Sequence, residues 1–196
     1  MIVINSDMFL NLRGHLGHSG FSATPFIRVL GKRQGRLVFD FSSSLLILKQ
    51  ALNYALHLKQ YKSINHKFFL IVHDKNLALY FKHFFFSDSK YSKHTKIFFN
   101  WVSGSLTRGD SVVSLFCRKE IRQNKLTRLK KNKKAISLPA LVVVLGPYSE
   151  MQPLVMEAFH LRIPTVAIVD SNFSGREVTF PVFGNDDSSS FFFFFR

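Results

Sequence analysis

Three aspartates stand where a parallel α/β sheet places its chemistry. Residues 161–187 read LRIPTVAIVDSNFSGREVTFPVFGNDD. An apolar strand runs into a polar loop with Asp170 at its carboxyl end, and Asn185, Asp186 and Asp187 close the next apolar run. In open α/β folds, ligands and catalytic carboxylates gather at such strand ends. Asp170, followed by Ser171 and Asn172, could bind a metal or a ribose. It could equally accept from the backbone of the next turn, which is the commoner use of Asp and Asn at a strand end. Gly184, Asn185 and Asp186 read as a turn, with Asp186 or Asp187 capping a helix that follows. His15 and His18 are the one tightly spaced histidine pair. With no cysteine and no third ligand near them in sequence, they read as a structural loop rather than a zinc site.

A nucleotide or acyl-transfer enzyme would need more. No GxGxxG follows a strand, and no GxxxxGK[ST] phosphate loop is present. GSLTRGD (104–110) offers glycine and hydroxyls without the spacing of a nucleotide fingerprint, and there is no GxSxG elbow. The lone cysteine, Cys117, lies in a basic run without a base partner; a single cysteine excludes an internal disulfide and fits a reducing compartment. The residues therefore assign no catalytic group, no metal, no cofactor and no small-molecule substrate.

Charge points elsewhere. Of 196 residues, 27 are Lys or Arg and 12 Asp or Glu, a formal net charge of +15. Folding does not need such an excess, whereas a polyanion rewards it. Residues 117–135 carry Arg118, Lys119, Arg122, Lys125, Arg128, Lys130, Lys131, Lys133 and Lys134 against a single acid, Glu120. A solvated face is the usual reading of a charged run. Here the nearly unrelieved positive charge repels itself, so a helix wants an anionic surface beside it. The 23 phenylalanines, together with many lysines, are what an A+T-rich coding sequence produces.

The elements that would position these groups alternate. Residues 13–36, with five glycines, form a basic, loop-rich arm. Strands are predicted at 37–41, 67–72, 96–99, 140–145, 165–169 and 178–183, the last at an edge because Pro181 cannot donate to a ladder. Helices are predicted over 42–60, 74–86 and 149–162. Serines 42–44 are read as accepting free N–H groups at the first helix, Asp74 as capping the second and Ser149 the third. In the first helix Leu45, Leu48, Leu52, Ala55 and Leu56 share a face. Continuous apolar strands alternating with helices predict one α/β domain over 1–196, with a parallel sheet covered on both faces. A basic helical excursion occupies 109–137. The tail 188–196, SSSFFFFFR, is of low complexity and has no pattern that predicts its place. No apolar run reaches the ~18 residues a membrane helix requires. MIVINSDMFLNL has no basic residue before Arg13, unlike a signal or transit peptide.

Four ordered motifs resemble the universal family of small-subunit ribosomal protein two, in its bacterial and organellar form. GHLGH (14–18), Pro25 and GKRQG (31–35) resemble its opening signature. FFNWVSGSLTR resembles its Trp-bearing loop, with Trp101, Gly104, Leu106 and Thr107 matching. LPALVVVL, Glu157–Ala158, IPTVAIVDSN and GNDD resemble its closing signature in the right order. The likeness spans about residues 13–187. Ser103 stands for a glycine, Asn100 for an arginine and Ala140 for an aspartate; the family's long helical hairpin is cut down to 109–137, and the helix expected after GNDD is replaced or lost.

The resemblance implies a flavodoxin-like three-layer sandwich and a structural, non-enzymatic role in the small ribosomal subunit, bound to its RNA and neighbouring proteins. Cation–phosphate contacts are then expected from Arg28, Lys32, Arg33 and Arg36 in the arm, from Arg108, and from the nine cations of the excursion. Trp101, Gly104, Asp170, Asn185 and Asp186 are expected to shape loops. A shortened, Phe-rich chain lacking a presequence is what a mitochondrially encoded member would look like, more than a plastid or bacterial one. The rival readings are a nucleotide- or small-molecule-binding enzyme on a doubly wound sheet and a basic peripheral membrane protein.

Overall fold

Apolar strands too short to stand alone are satisfied by stacking side by side, and a computed structural model of the chain shows how. It describes residues 6–20, 29–60, 68–87, 95–99, 101, 103–104, 106–107, 138–173, 175–188 and 191. In chain order these form α1 (Ser6–Asn11), β1 (Val29–Arg33), β2 (Arg36–Phe39), α2 (Phe41–Gln60), β3 (Phe68–Val72), α3 (Lys75–Ser87), β4 (Thr95–Phe99), β5 (Leu141–Leu145), α4 (Tyr148–His160), β6 (Thr165–Val169) and β7 (Phe180–Phe183). β3 to β7 make one parallel sheet in the order β4-β3-β5-β6-β7. This is the α/β, flavodoxin-like sandwich.

Successive strand residues point to opposite faces, and both faces are covered. Phe69, Ile71, Val142, Val144, Ala167 and Val169 meet Met151, Leu154, Val155 and Ala158 of α4. From the other face Leu70, Val72, Leu145 and Ile168 meet Leu77, Ala78 and Phe81 of α3, while Val166 and Val182 meet Leu48 and Ala51 of α2. All of β6 is buried. This two-sided burial is why the central strands read as unbroken apolar runs. The edge strand β4 departs from that expectation: it is partly exposed, with Phe99 at 37%. β7 takes the opposite edge, where Pro181 sits beside Ala167.

Several local expectations need correction. The arm is less loop-like than expected, because residues 29–39 form an antiparallel hairpin. Its two-residue turn, Gln34-Gly35, has φ of 49° and 78°, the paired left-handed conformation that matches strand twist. A glycine in the second position lets the turn close. Asp40, not the serines, caps α2: its carboxylate accepts from Ser42 N at 3.0 Å. The Ser43 and Ser44 hydroxyls instead donate to Asp40 O, and Ser44 also donates to Phe183 O at 2.7 Å, tying α2 to β7. The buried face of α2 is Ser44, Leu48 and Ala51, with Ile47, Tyr54, Ala55 and Leu58 beside it; Leu52 and Leu56 face solvent. Asp74 does cap α3, accepting from Asn76 N at 2.9 Å. Ser149 is exposed inside α4 and no side chain caps that helix from position 147. Of the tail, Phe191 is fully buried among Phe9, Leu70, Leu77 and Ile168, the anchor that its composition could not predict.

Candidate functional site

The β1–β2 hairpin presents cations to solvent. Lys32 and Arg33 lie on the fully exposed part of β1, and Arg36 opens β2 exposed. Arg33 pairs directly across from Arg36, and like charges opposite one another destabilise a ladder. An anionic surface at the tip would relieve that repulsion. The hairpin is fixed at its base. Gly17 N donates to Leu37 O at 2.8 Å, Phe39 N to His15 O at 2.9 Å, and Leu16 bridges Val38. Residues 15–18 thus line β2 like a short third strand. His15 is held below its ordinary pKa, first by burial and then by the charge of Arg33, which keeps the ring neutral beside the hairpin.

The same segment carries His18 to the carboxyl ends of β6 and β7. His18 N donates to Asp170 Oδ1 at 3.1 Å, and its Nδ1 stands 2.7 Å from Asp170 Oδ2. Its Nε2 stands 3.1 Å from Asp187 Oδ2. Gly17 allows this approach: a Cβ there would fall 2.6 Å from Asp170 Oδ1 and 2.9 Å from the Phe39 ring. Asp170, 1% exposed, also accepts from Ser171 N. Asp186, equally buried, accepts from Tyr148 N at 2.9 Å through Oδ2. It caps α4 in place of Ser149, a negative charge at the positive helix end. Asn185 ties the end of β7 to the 13–14 segment, its N donating to Gly14 O at 3.1 Å and its Nδ2 to Arg13 O at 3.3 Å.

Burial and charge set the titration of this cluster. Burial pushes the Asp186 carboxyl up to about 6; the Tyr148 N–H pulls it down, and Asp170 and Asp187 push it up. For His18, burial disfavours the imidazolium, but the Asp170 contacts and the charges of Asp187 and Asp186 outweigh it and raise the pKa. His18, at 41%, and Asp187, at 63%, are the cluster's exposed members.

Trp101 lies against the core beside Phe98, edge to face with ring centroids 6.3 Å apart. The loop it begins is held by a residue that reading the residues for chemistry missed. Glu157, on α4, accepts from Gly104 N and, at 3.1 Å, from Leu106 N. Gly104 adopts φ 87° to present its N–H, a conformation in which an L side chain is strained. No spacing rule links residues so far apart in sequence. The same is true of His18 with Asp170, for which the glycine just before the histidine was the available signal.

Of the residues expected to meet phosphate, the structure therefore brings Lys32, Arg33 and Arg36 together at one tip. Arg28, Arg108 and the nine cations Arg118, Lys119, Arg122, Lys125, Arg128, Lys130, Lys131, Lys133 and Lys134 lie outside the described residues. So does the helical excursion. Among the described residues no helix is long and apolar enough to cross a membrane.

Comparison with known proteins agrees with this frame. The model of the family described as ribosomal protein S2 matches residues 116–194. The chain is 27% identical over 192 residues to small ribosomal subunit protein uS2m of Schizosaccharomyces pombe, covering 94% of this chain and 69% of the relative. It is 26% identical over 213 residues to uS2 of Karelsulcia muelleri, covering 94% and 91%. To uS2m of Bos taurus it is 28% identical over 186 residues, covering 91% and 54%. The parallel sheet, the ordered motifs and these matches together make the chain similar to the ribosomal protein S2 family.

Proposed function

We propose that this protein is a structural constituent of the small ribosomal subunit, held there by cation–phosphate contacts to ribosomal RNA and by neighbouring small-subunit proteins. The observation that carries the reading is the exposed cationic hairpin, anchored to the core of a family-S2 sheet in a chain of net charge +15. Phosphate contacts of this kind fix position and register without reading sequence. RNA helices present shape, phosphates and 2′-hydroxyls rather than an open major-groove code. Lys32, Arg33 and Arg36 make these contacts at the hairpin, joined by Arg28, Arg108 and the cations between 118 and 134. The strand-end carboxylates serve architecture, not turnover. The ribosome concerned is mitochondrial: relatives named uS2m support it, as does the abundance of Phe and Lys.

Fractionation of isolated mitochondria tests this. The endogenous protein should co-sediment with small subunits and remain there until high salt strips it. A protein that stays at the top of the gradient at low salt, or that sediments with plastid ribosomes or with membranes, would refute the corresponding part of the proposal.

A further inference from the structure

The two faces of the middle strand are covered unequally. Under α4, Val142 and Val144 of β5 are exposed by only 0% and 2%. Between them Val143 points to the opposite face and is only partly buried. The spacing of the helices on that face is the cause. α2 lies along β7 and α3 along β3 and β4, so β5 runs between them. Phe68 of β3, beside Leu141, is likewise only partly buried. One flank of α2 walls this groove. Tyr54 packs on Phe180 of the edge strand β7, whereas Phe41 turns the other way, onto Phe9 in the cluster beneath α3. Leu45, Leu52 and Leu56 follow Phe41 on that flank at helical spacing, and Leu52 is 37% and Leu56 57% exposed. Phe9 and Phe191 fill the end of the groove nearest the strands' carboxyl termini.

The rim carries charge of one sign. Neither α2 nor α3 contains an Asp or Glu, while Lys49 and His57 on α2 and Lys75 and His83 on α3 are exposed. The carboxylates nearest in sequence, Asp40 and Asp74, are engaged in capping the two helix starts. We infer that this groove docks an acidic amphipathic helix of a neighbouring protein. Its apolar face would meet Phe68, Val143, Leu52 and Leu56, and its carboxylates the cations of α2 and α3. From Leu45 to Leu56 the wall runs about 16 Å at 1.5 Å per residue, so about three turns of the partner fill it. The docked helix completes the layer between α2 and α3. A lipid surface suits a projecting apolar face better than a groove, and an RNA backbone would leave the leucines without apolar cover. The inference rests on the groove and not on the ribosomal reading, so peptide binding and subunit sedimentation succeed or fail independently.

The purified full-length chain is titrated into fluorescein-labelled peptides and followed by anisotropy. One peptide is an amphipathic helix with a leucine stripe flanked by glutamates. The second has lysines in place of the glutamates, and the third has serines in place of the leucines. Saturable binding of the first alone is expected. Leu56→Asp and Leu52→Asp should each weaken it by at least about tenfold. Lys49→Glu, a change at an exposed position that leaves the core untouched, should weaken the acidic peptide and favour the lysine one. Leu46→Asp is the control: Leu46 is 59% exposed away from that flank and should leave binding intact. Circular dichroism confirms that each variant is folded, and Lys49→Glu decides if neither leucine variant folds. No saturable binding of the acidic peptide, equal binding of the lysine peptide, or binding that no groove variant weakens overturns the site. So does Leu56-dependent binding of cardiolipin-containing vesicles or of an RNA hairpin in place of the peptide.

Discussion

Phe191 offers a direct test of how the tail contributes to the fold. Its ring is fully buried, packs edge to face on Phe9 with centroids 5.3 Å apart, and lies over Gly14 and Gly184. Phe191→Ala removes a whole ring from a closed pocket, a change that costs about 3–5 kcal/mol. In a chain of this size each kcal/mol lowers the melting temperature by roughly 2–4 °C, so a fall of roughly 6–20 °C is expected. Gly14 supplies the second arm. A Cβ at Gly14 would fall 2.3 Å from the Phe191 ring, so Gly14→Ala overpacks the site at a cost of about 1–3 kcal/mol. In the double variant the methyl enters the space the ring has left, and most of that cost should vanish. The two changes must therefore be non-additive, with a coupling of about 1–3 kcal/mol that favours the pair. Urea denaturation of the four proteins measures it. A Phe191→Ala cost below about 1 kcal/mol, or strict additivity, would refute the packing argument.

Glu157→Ala should free the Gly104 and Leu106 N–H groups and cost about 2–4 kcal/mol, from two hydrogen bonds to a charged acceptor. Trp101, the chain's single tryptophan, reports it by a red-shifted emission; an unshifted spectrum with unchanged urea midpoint would show that the clamp is idle. Replacing Arg122, Lys125 and Arg128 by Gln should weaken RNA binding across sequences and flatten its salt dependence by about one unit of slope per lost phosphate contact; an unchanged slope would make this run a solvated face. The contributions of Asp186 and His18 to stability should decline as pH rises, that of Asp186 between about 4 and 6 and that of His18 above 6.5. Asp186 has a folded pKa of about 6 against an ordinary 3.8, and that of His18 is also raised. Both groups bind protons more tightly folded than unfolded, so their contribution is full at low pH and lost as pH climbs through the folded values. Asp186→Asn should remove the part of this decline between pH 4 and 6, read from urea midpoints; a variant whose pH profile parallels the wild type over this window would contradict the geometry.

Two kinds of information separate in this molecule. Those set by local chemistry were legible in the sequence. The unbroken apolar runs at 68–72, 141–145 and 165–169 could only be strands buried on both faces, Pro181 had to lie at an edge, and Asp74 had to cap the helix it precedes. The ordered motifs carried the likeness to the S2 family. What the sequence could not decide was anything made by residues distant along the chain. The face of α2 turned by roughly one position, because Ser44 reaches Phe183 O and pulls Leu48 and Ala51 under, leaving Leu52 and Leu56 outside. Ser149 looked like a cap, yet Asp186 holds the first amide of α4 from 38 residues away. Glu157 holds the tryptophan loop, and His18 finds Asp170 across 152 residues. Hydrophobic periodicity and capping rules describe a segment and its immediate neighbours. Which polar group meets which at a strand end depends on how the sheet orders its strands and where the 13–18 and 185–188 segments cross it, and that is fixed only when the whole core packs.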